Sequence, residues 1–356
     1  MGAQRPLDVL IVSLGSTAGL RAADAELRDS LQRAGANAVI ASATKPREVR
    51  TLMLTDLGWA RAARAACKKA LAELQGPRPP AIVYSSTTAA LLWPRPGAIR
   101  FDAPSAGNRP GRHGLWQRPL ESRRLAHAPL LLPWSDGGLS EAPALAREGG
   151  RALVLPVAVQ PSGLPEPVRD IAAITYAANP HKKGIDRVLA AWRNVRAKLG
   201  SATAGELVVA GASAQELSAA GLDVEGSEGV RVVGALPAAE YRALLRRARV
   251  FACAPRREDY GIAQLEALAD GCVLVTTPAP GPYAALPIAR SLDERLVSED
   301  LEGALLTALQ DPRPDYSALA PAALAPFARE AIDRQVADEL LPRLTEMPVQ
   351  RRRQLP

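Results

Sequence analysis

The chain has 356 residues and a mass of 37.6 kDa, a length that predicts two domains at roughly 100–200 residues each. Hydrophobic residues make up 47% and charged residues 23%, which excludes a disordered polymer. Three cysteines without a CxxC pair, and only three histidines, exclude a disulfide framework and argue against a Cys/His metal centre. The excess of Lys and Arg (44) over Asp and Glu (37) is one-sided. Residues 1–150 hold 20 basic and 12 acidic side chains, residues 151–356 hold 24 and 25. The first half therefore suits an anionic partner: a phosphorylated acceptor, a membrane surface or nucleic acid. No apolar run approaches 18 residues, so no membrane-spanning helix is expected. The N-terminus enters a strand-like run at once rather than a signal sequence, which predicts a cytoplasmic protein with possible peripheral attachment to the inner face of a membrane.

In chain order, strands are predicted at 8–13, 37–41, 81–85, 98–102, 129–133 and 152–156, with helices at 20–34, 56–75, 119–127 and 139–149. The segment PVAVQPSGLPEP (156–167) carries four prolines and reads as a linker. A second set of strands follows at 171–177, 206–211, 230–235, 250–254 and 272–277. Its helices are predicted at 184–199, 214–220, 238–249, 261–270 and 297–310, and a closing helical stretch covers 326–347. Strands alternating with helices predict two α/β, Rossmann-like doubly wound domains, at 1–160 and 165–334, with a ligand cleft between their strand carboxyl ends. The C-terminal helix, about 335–356, is expected to pack back on the first domain.

Candidate chemistry gathers in strand-to-helix turns. Gly15 and Ser16 follow the first strand, in a GxxxG turn where helix amides can meet a phosphate and a glycine is needed for the turn in any case. It is neither a GxGxxG fingerprint nor a Walker loop. Lys182 and Lys183, with His181 before them and Gly184 after, can meet a diphosphate or stand as solvated lysines. In REDYGIAQLEALADG, Glu258 lies in a loop where a carboxylate can take hydrogen bonds from sugar hydroxyls. Tyr260, Gly261 and Ile262 open a helix, and Glu266 sits two turns further on, placed to accept from vicinal ribose hydroxyls. In the first half, Arg109, Arg112, Arg118, Arg123 and Arg124 face one acid, Glu121, around Trp116. Arg109, Arg112, Trp116 and Arg118 are candidate acceptor or membrane contacts, with a solvated loop as the plainer reading. His113 and Asp102 are candidate polar contacts, His113 also a base.

The blocks NPHKKGIDRVLAAW and VVGALPAAEYRALLRRARVFACAPRREDYGIAQLEALADGCVLVTTPAPGPYAAL keep their order and spacing over about 171–290. They resemble the C-terminal domain of family-four retaining glycosyltransferases of the GT-B fold, most specifically in the E-x7-E element. The first half resembles the family's acceptor domain more loosely. The resemblance implies transfer of a hexose from a UDP- or GDP-sugar to a sugar or lipid-linked acceptor, with retention, no metal and no further cofactor. It implies that Lys183 contacts the diphosphate, that Glu266 holds the ribose, that Glu258 and the amides near Tyr260–Ile262 hold the sugar, and that Gly15 lets a backbone approach the donor. One departure is that Ala177–Ala178 stand where the family often has Gly-Arg, so Lys182, His181 or an arginine of the first domain must supply that cation. Front-face attack assisted by the departing phosphate, in a closed cleft that excludes water, fits the absence of a clearly placed nucleophilic carboxylate. Two alternatives differ in class: a non-catalytic nucleotide-sugar-binding protein, and a basic nucleic-acid-binding protein, for which no recognisable module assembles.

Overall fold

The computed structural model describes residues 6–47, 51–73, 79–109, 111–164, 166–224 and 226–347. Two compact units divide the chain: Met1–Ala158 with Arg329–Pro356, and Val159–Ala328. The division falls inside the proline-rich segment 156–167.

The first unit runs β1 (Val9–Ser13), α1 (Ala18–Arg33), β2 (Ala38–Ser42), α2 (Leu52–Glu73), β3 (Ala81–Tyr84), α3 (Thr87–Ala90), β4 (Ala98–Phe101), α4 (Gln117–His127), β5 (Leu131–Pro133), α5 (Asp136–Ser140) and α6 (Ala144–Arg147). Its sheet is parallel, in the order β2-β1-β3-β4-β5. Both faces are covered, which is why β1 is a continuous apolar run rather than an alternating one. Leu10 and Val12 pack with Cys67 of α2 and Leu125 of α4, whereas Val9 and Ile11 pack with Leu27 and Leu31 of α1. Two expectations change here. Residues 152–156 do not form a full strand. Leu153 and Leu155 donate to the carbonyls of Leu131 and Pro133 (both 2.9 Å), but Pro133 has no N–H to return, so only the bridge Leu131–Ala152 forms. The helix expected over 139–149 is broken, with α6 starting immediately after Pro143.

The second unit runs β6 (Ile171–Tyr176), α7 (Pro180–Lys183), α8 (Ile185–Leu199), α9 (Ser201–Ala204), β7 (Leu207–Ala210), α10 (Ala214–Ala219), β8 (Val230–Gly234), α11 (Ala238–Arg247), β9 (Ala248–Cys253), α12 (Ile262–Ala269), β10 (Val273–Thr276), α13 (Ala285–Leu292), α14 (Leu301–Gln310) and α15 (Tyr316–Ala323). Its parallel sheet has the order β10-β9-β6-β7-β8. From the central β6 the chain winds outward to β8, then crosses over to β9 and β10. The winding direction reverses between β6 and β9, and loops leaving the carboxyl ends of strands at such a point part to leave a crevice.

The chain then returns to the first unit as α16 (Arg329–Gln335), a π-helical turn (Val336–Leu340) and α17 (Leu341–Glu346). Ile332, Val336, Leu340 and Leu344, each four residues apart, lie in the core cluster of β1 and α1. Burying such side chains is worth about 1.5–3 kcal/mol each. Asp333 adds hydrogen bonds from Arg33 Nε and Ser30 Oγ, both 2.6 Å. The return therefore starts at Arg329, six residues before the position, about 335, read from the sequence. Pro342, which cannot donate to the carbonyl four residues earlier, accounts for the widened turn before it. The part of the closing helix beyond 347 lies outside the described residues.

Candidate functional site

Two loops leave the carboxyl ends of β6 and β9, where the sheet order reverses, and their approach to each other rests on glycine. Gly184 has φ +64° and ends α7 while starting α8; a Cβ there would lie 1.8 Å from the carbonyl oxygen of Ala254. Only glycine lets the lysine turn lie against the end of β9. A backbone bond from Arg256 N to Lys182 O (2.9 Å) joins the two loops. The result is a pair of adjacent ion pairs. Lys183 Nζ donates to Glu258 Oε2 at 2.6 Å, and Lys182 Nζ bonds Asp259 Oδ2. Glu258 is 5% exposed and accepts a second bond from Gln264 Nε2 at 3.0 Å. Asp259 also accepts from Arg257 Nε at 2.9 Å. An ammonium has three N–H groups, so after serving Glu258 Lys183 keeps donors for an incoming anion.

Beside this pair α12 begins. Gly261 is its N-cap residue, and no side chain caps it among the described residues, which leaves a positive helix end facing the loop. Ile262 is half-buried in the first turn. Tyr260 is a core residue instead: its side chain is buried and its ring meets Phe327 edge-on at 6.5 Å, so only its backbone can face a ligand. Glu266 stands one turn into α12, half-buried, with Arg242 Nη1 3.5 Å from its Oε1. Burial pushes its carboxyl above the ordinary range; Arg242 opposes this and Asp270 adds to it. Lys183, Glu258, Gly261, Ile262 and Glu266 thus share one side of one unit. His181 is in α7, and its carbonyl accepts from Arg256 Nη1 at 2.8 Å.

In the first unit the loop after β1 is tightly self-bonded. Gly15, at φ +59°, donates its N–H to Ser13 Oγ (3.0 Å) and accepts from Arg21 Nη1 (2.8 Å), and Ser16 is exposed. Gly15 therefore shapes the turn with its own peptide groups occupied. Ser13 in turn bonds buried Asp24, 3.5 Å from the Arg100 guanidinium. That guanidinium stacks 5.0 Å over Trp134.

The arginine-rich segment is more internally paired than its sequence suggests. Arg109 forks onto Asp56 of α2 (2.7 and 3.1 Å), and Arg118 is held by the carbonyls of Gly111 and Gly114. Arg124 donates to Leu91 O and stacks on Trp93 at 4.8 Å. Glu121 is not a solvated partner of the arginines: it is buried and accepts from Ser105 N at 3.0 Å, and burial pushes its carboxyl up, opposed by its hydrogen bonds and by the Arg109 charge. Arg112 and Leu115 remain exposed and Trp116 is half-buried. His113 lies in the turn Gly111–Gly114, its side chain outside the described residues. Asp102, after β4, accepts from Ala103 N at 2.7 Å. Sequence reasoning missed Asp259, Arg242 and Asp270, whose partners Lys182, Asp270 and Arg242 lie 77 and 28 residues away along the chain, and it missed Gln264, whose partner Glu258 is only six residues away.

Residues 160–287 match the family model described as glycosyl transferases group 1. Solved structures align over nearly the whole chain. WaaG, a glycosyltransferase involved in lipopolysaccharide biosynthesis, aligns at 16% identity and TM-score 0.65, over 97% of this chain and 100% of that one. Sucrose-phosphate synthase from Thermosynechococcus elongatus aligns at 15% and 0.63, over 93% and 97%. The E. coli trehalose-6-phosphate structure bound with UDP-2-fluoro glucose aligns at 11% and 0.66, over 96% and 99%. No curated protein matches significantly in sequence. The fold is GT-B. Each GT-B domain is one of the two parallel-sheet, Rossmann-like units, and the group 1 match lies within the one that carries Lys183 and Glu258. Among the described residues no helix is long and apolar enough to cross a membrane, and no group of three or more His, Cys, Asp or Glu is placed to hold a metal ion.

Proposed function

We propose that the protein is a retaining glycosyltransferase that moves a hexose from a UDP- or GDP-sugar to an acceptor hydroxyl, the second unit holding the donor. The observation that carries this reading is the Lys183–Glu258 pair beside the uncapped end of α12, at the reversal point of the sheet. The group 1 match over the same residues supports it. Breaking the anomeric C–O bond puts negative charge on the leaving phosphate. The remaining N–H groups of Lys183 and the amides of Gly261 and Ile262 stabilise that charge as it grows, in place of a metal ion. Glu258 accepts from sugar hydroxyls and Glu266 from the ribose. The acceptor oxygen bonds to the anomeric carbon on the face the phosphate leaves, and its proton passes to a phosphate oxygen. Lys182 supplies a second cation once the diphosphate displaces Asp259, where Ala178 offers none. In the first unit Arg112 and Trp116 are left to serve the acceptor, with His113 as a candidate base, while Arg109 and Arg118 stay engaged with Asp56 and with the carbonyls of Gly111 and Gly114. The basic surplus of that half favours peripheral contact with an anionic, lipid-bearing membrane surface.

The test is incubation with a panel of UDP-, GDP- and ADP-hexoses, with sugar and lipid-linked acceptors, in EDTA. Nucleotide release with the donor's anomeric configuration in the product is expected. Release that needs added Mn²⁺ or Mg²⁺, or an inverted product, overturns the metal-free retaining mechanism. Binding without release from any donor favours the non-catalytic nucleotide-sugar-binding alternative.

A further inference from the structure

Arg242, on α11, has one of the most heavily engaged guanidinium groups of the second unit. Its side chain is 14% exposed. Nε and Nη2 fork onto Asp270 at 2.5 and 3.0 Å, Nη2 also donates to Gln160 O at 2.7 Å, and Nη1 lies 3.5 Å from Glu266 Oε1. Asp270 has a fully buried side chain and also accepts the Ser162 N–H at 2.7 Å. Gln160 and Ser162 are among the first residues of the unit after the division at Ala158. A planar guanidinium held at two points by a buried carboxylate has little rotational freedom, so its third edge is fixed in space.

We propose that Arg242 is the positioning residue of Glu266, and that through Asp270 it fastens the ribose-binding carboxylate to the segment Gln160–Ser162 at the entry to the second unit. The proposal rests on the reading of Glu266 as the ribose ligand. The 3.5 Å contact is long for a hydrogen bond, so Arg242 aims Glu266 without consuming its lone pairs, which remain for vicinal hydroxyls. Arg242 also keeps Glu266 ionised. Two carboxylates, Glu266 and Asp270, share one partly dry site, and burial and the Asp270 charge both favour a proton on Glu266. The other groups facing it are the tyrosines Tyr241 of α11 and Tyr176 of β6, whose hydroxyls burial holds neutral. Arg242 is the cation that opposes the protonation of Glu266. A protonated Glu266 accepts fewer hydrogen bonds, so nucleotide affinity falls as pH drops through its raised pKa.

The experiment is calorimetric titration of the full chain with UDP, GDP and ADP between about pH 4.5 and 8. For wild type, affinity should fall on the acid side. Glu266→Gln should weaken binding about ten- to a hundredfold at neutral pH and remove the acid limb. Arg242→Met should weaken binding and move the limb to higher pH, Asp270→Asn should move it to lower pH, and Arg242→Lys should restore it towards wild type. A purely structural role predicts weaker binding in both the Arg242 and Asp270 variants with the limb fixed, and that result overturns the proposal. If Arg242→Met does not fold, the limbs of Arg242→Lys and Asp270→Asn decide the matter: a limb unmoved in Asp270→Asn is fatal. Wild-type affinity in Glu266→Gln instead refutes the ribose assignment, an outcome distinct from failure of the Arg242 role.

Discussion

Lys182 and Lys183 are adjacent in sequence yet hold different carboxylates, and their loss should have different consequences. Removing Lys183 leaves Glu258 buried with, among the described residues, the neutral Gln264 as its side-chain partner, whereas Asp259 keeps the Arg257 guanidinium when Lys182 is removed. A fixed ammonium gains interaction as the leaving phosphate takes up charge, so Lys183→Ala should lower kcat by more than it raises KM. The combined loss should be on the order of 2–4 kcal/mol in transition-state stabilisation. It should also lower Tm, because a buried carboxylate loses its cation. Lys182→Ala should be milder in both. Equal kinetic losses in the two variants, measured below the lower melting point, would show that Lys183 has no special place at the leaving group. At this scale the sequence places Lys183 after β6 and Glu258 and Glu266 after β9, because a strand-to-helix turn follows local rules, whereas the meeting of Lys183 with Glu258, 75 residues on, is a product of the fold. It hides Arg242 and Asp270, which are 28 residues apart and meet only through packing of α11 on α12. It also misleads about Glu121, since a helical acid among arginines looks solvated until tertiary burial is known.

Gly184 and Gly221 separate two reasons for a glycine within one unit. Both have positive φ, +64° and +79°, but a Cβ at Gly221 meets nothing within 4 Å while one at Gly184 runs into Ala254 O. Gly221→Ala should cost the about 1–2 kcal/mol of a left-handed residue. Gly184→Ala adds an overpacking cost of about 1–3 kcal/mol, and it must displace the lysine turn from β9. Denaturant unfolding gives the first comparison, and loss of nucleotide affinity in Gly184→Ala alone gives the second. Equal destabilisation with intact binding would mean that the close approach to Ala254 does not position the site. Element by element, strands were the most legible feature, because a doubly covered parallel sheet demands uninterrupted apolar runs such as DVLIVS and ELVVAG. The failures cluster at proline. Pro133 denies 152–156 a ladder, Pro143 splits a helix, and α15, left unassigned in the sequence reading, carries an internal proline, Pro321.

Two units with separate cores make ligand-linked stability a property of one of them. The core of the first is built on β1 and closed by Ile332, Val336, Leu340 and Leu344. The pairs Lys182–Asp259 and Lys183–Glu258 belong wholly to the second. A ligand that binds only the native second unit stabilises that unit by about 2.7 kcal/mol at a hundred times its Kd. For a unit of this size that is a rise of roughly 5–11 °C in its own transition. Hydrogen exchange on the full chain can read the two transitions separately, through the amides of β1 and β3 against those of β6 and β9. Saturating UDP or GDP should slow exchange in β6, β9 and α12. It should leave β1 and β3 at their ligand-free rates, because the groups assigned to the nucleotide lie in the second unit. Protection concentrated instead in β1 and α1 would place the nucleotide on the Gly15 turn and reverse the assignment of donor and acceptor units. That outcome is physically open to a turn of this kind, since α1 offers a helix N-terminus too. Its Gly15 peptide is already bonded to Ser13 and Arg21, however, whereas the Lys183 ammonium keeps donors to give, which is why protection is expected in the second unit.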